Sequence, residues 1–232
     1  MSKKQDVMEK LDKVYDPELD QPLTDLDFID DITIEGSDVE VKFRLPTYWC
    51  SPNFAYIMAE DIKEYVSEID WVKEARVTLD DHCASDEINH GVAQGKQFSQ
   101  SFEGQTTGDL DELRKTFRIK AFYSRQDRFV RHLLNKGFSK EELVRLTLQE
   151  LEDITLSEEG IHLRDKYLQK KKELNHPGTC INAITDPEGN AITIDDLSDY
   201  LLGIKTTRLS MEFNGHYCRG LLEARYHLEK TN

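Results

Sequence analysis

The chain has 232 residues, with 30 Lys+Arg against 45 Asp+Glu, and a formal charge of −15 at pH 7. A field of that sign argues against coating nucleic acid or an anionic membrane with the whole protein. No stretch approaches the ~20 apolar residues of a membrane span, and the N-terminus lacks the apolar core of a secretory signal.

Four cysteines, Cys50, Cys83, Cys180 and Cys218, lie far apart. They make no disulfide framework, and the expectation is a cytoplasmic protein with free or metal-bound thiols. The acidity is uneven. Residues 1–100 carry 10 Lys+Arg against 23 Asp+Glu, while residues 101–232 are nearly balanced at 20 against 22. A polar, glycine-spaced stretch separates the two halves. This predicts a first domain over 1–90, a linker over 91–108 and a second domain over 109–232.

In chain order, Val7, Met8, Leu11 and Val14 stand at helical spacing, and Pro17 follows to end that helix. Phe28 to Ile34 and Val39 to Leu45 read as strands joined by a Gly36-Ser37-Asp38 turn. Val39, Val41, Phe43 and Leu45 alternate with Glu40, Lys42 and Arg44, so one face is buried and one is wet. After Pro52, Phe54, Ile57, Met58, Ile62, Tyr65, Val66 and Ile69 form the stripe of an amphipathic helix. Val72 to Leu79 is a third strand. The fold class is therefore α+β, with a small α-β-β-α-β domain first.

The second half reads as mostly α-helical. A basic run from Arg114 to Lys136 contains Arg118, Arg125, Arg128 and Arg131 against a single acid, Asp127. It predicts either a patch for nucleic acid or an acidic partner, or a solvated helix face that contacts the acidic half or a second copy. Ser139 and Glu142 form a capping box. A helix is expected from Ser157 to Leu174, short strands over Ile181 to Thr185 and Ala191 to Ile194, then a helix capped by Asp196 and ending near Met211. A separate last helix is expected from Tyr217 to Lys230.

Cys50 sits between a buried strand and a helix. Such a turn presents backbone N–H groups and the positive end of a helix dipole, which favour a thiolate. A small buried apolar residue is the competing reading. Asp81-His82-Cys83 places three ligand types at the end of the third strand. If the chain turns there, His82, Cys83 and Cys50 share a soft metal or a cluster edge, or the two thiols form a redox pair. His176 with Cys180, and His216 with Cys218, make a second metal site conceivable, with zinc as its ion, although the spacing fits no standard finger. No phosphate loop, nucleophile elbow or zinc-protease helix is present, so no enzyme class has motif support.

Tyr15-Asp16-Pro17-Glu18-Leu19, Asp25-Leu26-Asp27-Phe28-Ile29, the Gly-turn hairpin, Thr47 and Cys50 together resemble the SufT/PaaD-type iron–sulfur assembly family over about Met8 to Asp81. That family's pattern has Asp-Pro-Glu, then Asp-Leu-Gly, then Thr-x-Pro-Gly-Cys-Pro. Its Asp-Pro-Glu falls on Asp16, Pro17 and Glu18, its later Asp on Asp25, its Thr on Thr47 and its cysteine on Cys50. Asp27 stands at its Gly, and Trp49 precedes the cysteine. The resemblance implies a non-enzymatic accessory factor that handles iron or an iron–sulfur cluster transiently through Cys50. The implied partners are the assembly machinery and a client metalloprotein such as an oxygenase. A homodimer through the hairpin edge is a further expectation. An adaptor or chaperone using the domain only as scaffold, and a thiol redox protein using Cys50 and Cys83, stand as alternatives.

Overall fold

A computed structural model describes residues 2–104, 106, 109–174 and 181–228. The fold is mixed α+β, with a small α/β region first and a mostly helical region after it. The chain divides into two compact units. Unit 1 comprises residues 1–114 together with 214–232, and unit 2 comprises residues 115–213.

Unit 1 opens with helix α1 (Lys3–Leu11), where Ser2 caps the first turn by accepting from the Gln5 N–H. A two-residue ladder follows, β1 (Tyr15–Asp16) against β2 (Gln21–Pro22). The main sheet has the order β3 (Ile29–Glu35), β4 (Asp38–Phe43), β5 (Glu74–Leu79). β3 and β4 are antiparallel through the Gly36 turn. β4 and β5 are parallel, joined by the crossover helix α2 (Pro52–Ser67). A parallel pair needs such a crossover, which explains why the helix lies between those strands in sequence.

The alternation in β4 decides which face is covered. Val39, Val41 and Phe43 are buried and lie opposite Ala75, Val77 and Leu79. They share one core with Tyr56, Ile57, Ile62 and Val66 of α2 and with Val7 and Leu11 of α1. Each large side chain buried there contributes roughly 1.5–3 kcal/mol.

The glycine-spaced stretch is not an open linker. It holds the end of α3 (Ser85–Ala93) and all of α4 (Phe98–Ser101), and both belong to unit 1. Phe98 and Phe102 are buried in the unit 1 core and pack on Tyr56. The Tyr56 hydroxyl donates to Lys96 O at 2.7 Å and contacts Ser101 Oγ at 2.9 Å. Gly91 is required by this packing, since a Cβ there would run into Ser101 and Tyr56. Residues 105, 107 and 108 of the expected linker lie outside the described residues.

Unit 2 is built from the body of α5 (Asp111–Asn135), then α6 (Lys140–Arg145), α7 (Leu148–Asp153), α8 (Glu158–Leu174) and the first two thirds of α9 (Ile194–Tyr226). The Ser139/Glu142 capping box is present. Phe122, Phe129, Leu133, Leu143, Leu151, Tyr167 and Ile184 form its core. The two expected short strands reduce to isolated bridges, Thr147 with Asn182 and Thr185 with Ala191.

The last two expected helices are one continuous helix of 33 residues. Asn214-Gly215 does not break it, because Gly215 lets the helix approach the Gln21 side chain, 2.8 Å from where a Cβ would stand. Its cap is Thr193 rather than Asp196. Thr193 Oγ1 accepts the Asp196 N–H and donates to the Asp196 carboxylate at 2.6 Å.

Candidate functional site: the Cys50 loop

Cys50 lies in the loop between β4 and α2, just ahead of the Ser51-Pro52 start of the helix. Pro at the first helical position suits a helix start, since its missing N–H would have had no partner there. Thr47 shapes the loop from within. Its hydroxyl oxygen accepts the Trp49 N–H at 3.3 Å, which leaves its O–H free to donate to Cys50 Sγ, also 3.3 Å away. The thiol is half-buried against the unit 1 core. Tyr48 and Trp49 are 43% and 76% exposed and meet edge to face, so the bulk beside the thiol turns outward.

The end of β5 does lie beside this loop. The chain turns at Asp81, which adopts a left-handed φ of 52°. Cys83 N–H then donates to Tyr48 O at 2.9 Å. His82 is only 4% exposed and braces the loop. Its Nδ1 accepts the Ala84 N–H at 3.1 Å, so the ring proton belongs on Nε2, which donates to Cys50 O at 2.7 Å. Burial pushes the His82 pKa down, against the hydrogen bond to Cys50 O, which raises it, and the Arg225 charge adds to the lowering, in keeping with a neutral ring. With both ring nitrogens bonded within the chain, His82 as placed is a brace for the Cys50 carbonyl and not a ligand. The Cys83 side chain is exposed.

The motif acids separate by role. Asp16 is buried, and its Oδ1 accepts the Glu18 and Leu19 N–H groups at 2.8 and 2.9 Å, closing the Asp-Pro-Glu turn. Burial raises its pKa to about 6, against those two hydrogen bonds, which lower it. Asp25 is exposed. Asp27 keeps a φ of 57°, the left-handed conformation that a glycine would adopt without strain.

Sequence reasoning missed the placement of Cys218, which it paired with His216. Cys218 comes from the part of α9 that belongs to unit 1. It is half-buried on the same core as Cys50. Burial pushes its thiol up to about 11, with the Asp16, Cys50 and Glu18 charges adding to the effect. No spacing rule links Cys50 to Cys218. The available signal was the helical face shared by Asn214, Cys218 and Arg225, which the expected gap between Met211 and Tyr217 concealed.

The second metal site does not assemble among the described residues. His216 and Cys218 sit two apart on one helix and diverge, with His216 exposed. His176 and Cys180 lie outside the described residues. Among the described residues no three His, Cys, Asp or Glu side chains stand together in a metal-holding group.

The basic run is also redistributed. Arg114 pairs with Glu60 and Asp61 at 2.9 and 2.7 Å within unit 1. Arg125 is buried, donating to Lys166 O, and cannot serve a surface partner. Arg128 is exposed but pairs with Glu212 at 3.1 Å. Arg118 and Arg131 remain at the surface.

Among the described residues no helix is long and apolar enough to cross a membrane. No curated protein matches the chain. Residues 4–79, about a third of the chain and the part that builds the Asp16 turn, the sheet and the Cys50 loop, match the model of the family described as iron–sulfur cluster assembly protein, which supports an N-terminal domain of that family.

Proposed function

We propose that the chain is a non-catalytic accessory factor in the maturation of iron–sulfur proteins or of iron-dependent oxygenases, with iron or a cluster as cargo taken at Cys50. The observation that carries this reading is the placement of a half-buried thiol, faced by the Thr47 hydroxyl, within the segment that matches the assembly family. A thiolate is the ligand a thiophilic iron centre prefers. The loop backbone around it is already satisfied, by His82 at Cys50 O and by Cys83 at Tyr48 O, so the sulfur can exchange ligands without rearranging its support. The exposed Tyr48 and Trp49 supply an apolar contact beside the thiol for a protein that delivers or receives the cargo. Unit 2 is the part left for choosing the client.

The test is transfer. Protein reconstituted anaerobically with ferrous iron and sulfide is mixed with an apo-ferredoxin, and holo-ferredoxin is followed by its visible absorption. The wild type transfers and Cys50→Ala does not. Equal transfer by Cys50→Ala defeats the proposal.

A further inference from the structure

The main sheet of unit 1 has two edges, and the chain treats them differently. At the β5 edge the Asn89 side chain of α3 stands in for a neighbouring strand. It accepts the Leu79 N–H at 2.8 Å and donates to Leu79 O at 3.1 Å. At the β3 edge nothing comparable is found. The turn at Gly36-Ser37 makes Glu35 and Asp38 the first pair of the β3–β4 ladder, with Thr33 opposite Glu40 and Asp31 opposite Lys42. Bonded and non-bonded pairs alternate in an antiparallel ladder, so Glu35, Thr33 and Asp31 bond to β4, and Ile32 and Ile34 hold their N–H and C=O groups away from it. Bonds at the far end of β4 keep the same parity: Arg44 N–H donates to Phe28 O, while Phe43 O accepts from Asp80 on the β5 side. Among the described residues no hydrogen bond reaches the main-chain groups of Ile32 or Ile34 from the open side.

The side chains of β3 say what such an edge would take. Asp31, Thr33 and Glu35 are exposed on its wet face, and Ile32 is buried on the core side with Ile34 partly buried beside it. Asp30 is tied to Arg44 at 2.6 Å. Asp31 accepts from Thr33 Oγ1 at 3.0 Å, with Lys42 across from it on β4. Asp31 and Glu35 have no ion pair among the described residues. A second copy of the chain fits this edge poorly. The two-fold antiparallel register that uses both open residues sets Ile32 against Ile34 of the copy and Asp31 against its Glu35, and like charges directly opposite are destabilising.

We propose that the β3 edge docks an extended, basic segment of a partner protein, which adds to the three-stranded sheet as a further strand. The segment bonds to the open N–H and C=O groups of Ile32 and Ile34. Lys or Arg at alternate positions faces Asp31 and Glu35, and apolar residues between them lie on the side of Ile32 and Ile34. An open edge is a template for pairing that natural sheets normally block. Here the acidic row both repels a second copy and selects a partner of opposite sign. The excess of acids in residues 1–100, 23 against 10 Lys+Arg, attracts such a segment from a distance. This surface is independent of the role of Cys50.

The experiment uses the full-length chain, labelled with nitrogen-15, and a capped synthetic peptide of alternating lysine and valine as the probe. Amide hydrogen exchange is read residue by residue by NMR, with and without millimolar peptide. Exchange at Ile32 and Ile34 should slow about tenfold or more, while the Thr33 amide, already bonded to β4, changes little. A capped peptide of alternating glutamate and valine should leave both isoleucines as they were. Binding of the fluorescein-labelled lysine peptide is then measured by anisotropy for the wild type and for the double variant Asp31→Asn with Glu35→Gln, with circular dichroism checking that the variant is folded. The loss of two cross-strand charge pairs should weaken binding about tenfold. Unslowed exchange at Ile32 and Ile34 overturns the inference, as does equal slowing by the glutamate peptide or equal affinity of the double variant. Slowing that needs no peptide and grows with protein concentration overturns it too, because the edge is then occupied by a second copy.

Discussion

The Cys50 loop of unit 1 and the polar layer inside unit 2 are both dense in functional groups, and they spend them differently. In unit 2, Asp127 is buried against Arg208, Arg208 also holds Glu212, and Glu212 holds Arg128. Gln126 joins the Tyr167 and Tyr200 hydroxyls to Thr185 O, and buried Lys171 donates to Thr185 Oγ1. Every charge there has a partner within the unit, and the network specifies a helix packing. At the Cys50 loop the backbone is bonded just as fully, by His82 and Cys83, but the bonding ends on a sulfur. The lesson is that a run of charge in sequence can be interior scaffolding, while a thiol on a braced loop can keep its sulfur half-exposed.

The contrast can be broken most strongly from the unit 2 side. Asp127→Ala leaves the Arg208 guanidinium with Glu212 alone, and removing one member of a buried pair costs about 3–5 kcal/mol, so a loss at the lower end of that range is expected. Chemical denaturation should show that loss, and a change below about 1 kcal/mol would mean the network is not a structural device.

The next effect belongs to Asp16. Its folded pKa, raised to about 6, lies above the ordinary carboxylate value, so the carboxyl favours folding only while protonated. That stabilisation is present below about 4 and is lost as pH rises through about 6, a swing of roughly 2–3 kcal/mol. Asp16→Asn keeps an oxygen for the Glu18 and Leu19 N–H groups and removes the charge. The variant should gain on the wild type by that amount between the two ends of the window. Parallel stability curves would contradict the placement of the buried carboxyl.

Arg225→Ala removes the ties to Leu45 O and Asp81, and hydrogen bonds from a charged group contribute about 1.5–3 kcal/mol. Part of that is screened at this partly exposed position, so a loss near 1.5 kcal/mol is expected. Hydrogen exchange should rise in α9 after residue 214, and unchanged exchange would mean that the helix end is held by other contacts. The smallest effect is at Asp27, where a left-handed backbone carries an L side chain. Asp27→Gly should stabilise by up to about 1 kcal/mol in thermal unfolding, and a loss would mean that the Asp27 carboxylate has a compensating role.

How much of this was legible follows from where periodicity speaks. The alternation in Val39 to Leu45 and the stripe from Phe54 to Val66 announce β4 and α2, because one side of each must meet a core. Cys50 was placed by the same logic, between them. The stretch from Gly91 to Gly104 was misread because glycine was taken for freedom, whereas Gly91 answers crowding by Ser101 and Tyr56, and Phe98 and Phe102 at i, i+4 were the overlooked sign of burial. The gap expected between Met211 and Tyr217 split α9, which is one helix. Arg125 read as surface because a long-range bond to a backbone carbonyl on α8 leaves no trace in spacing.

The most direct measurement is X-ray absorption at the iron edge of anaerobically loaded protein, wild type against Cys50→Ala. The account predicts sulfur neighbours around the iron of the wild type and fewer of them in the variant. An identical set of oxygen and nitrogen neighbours in both would contradict it.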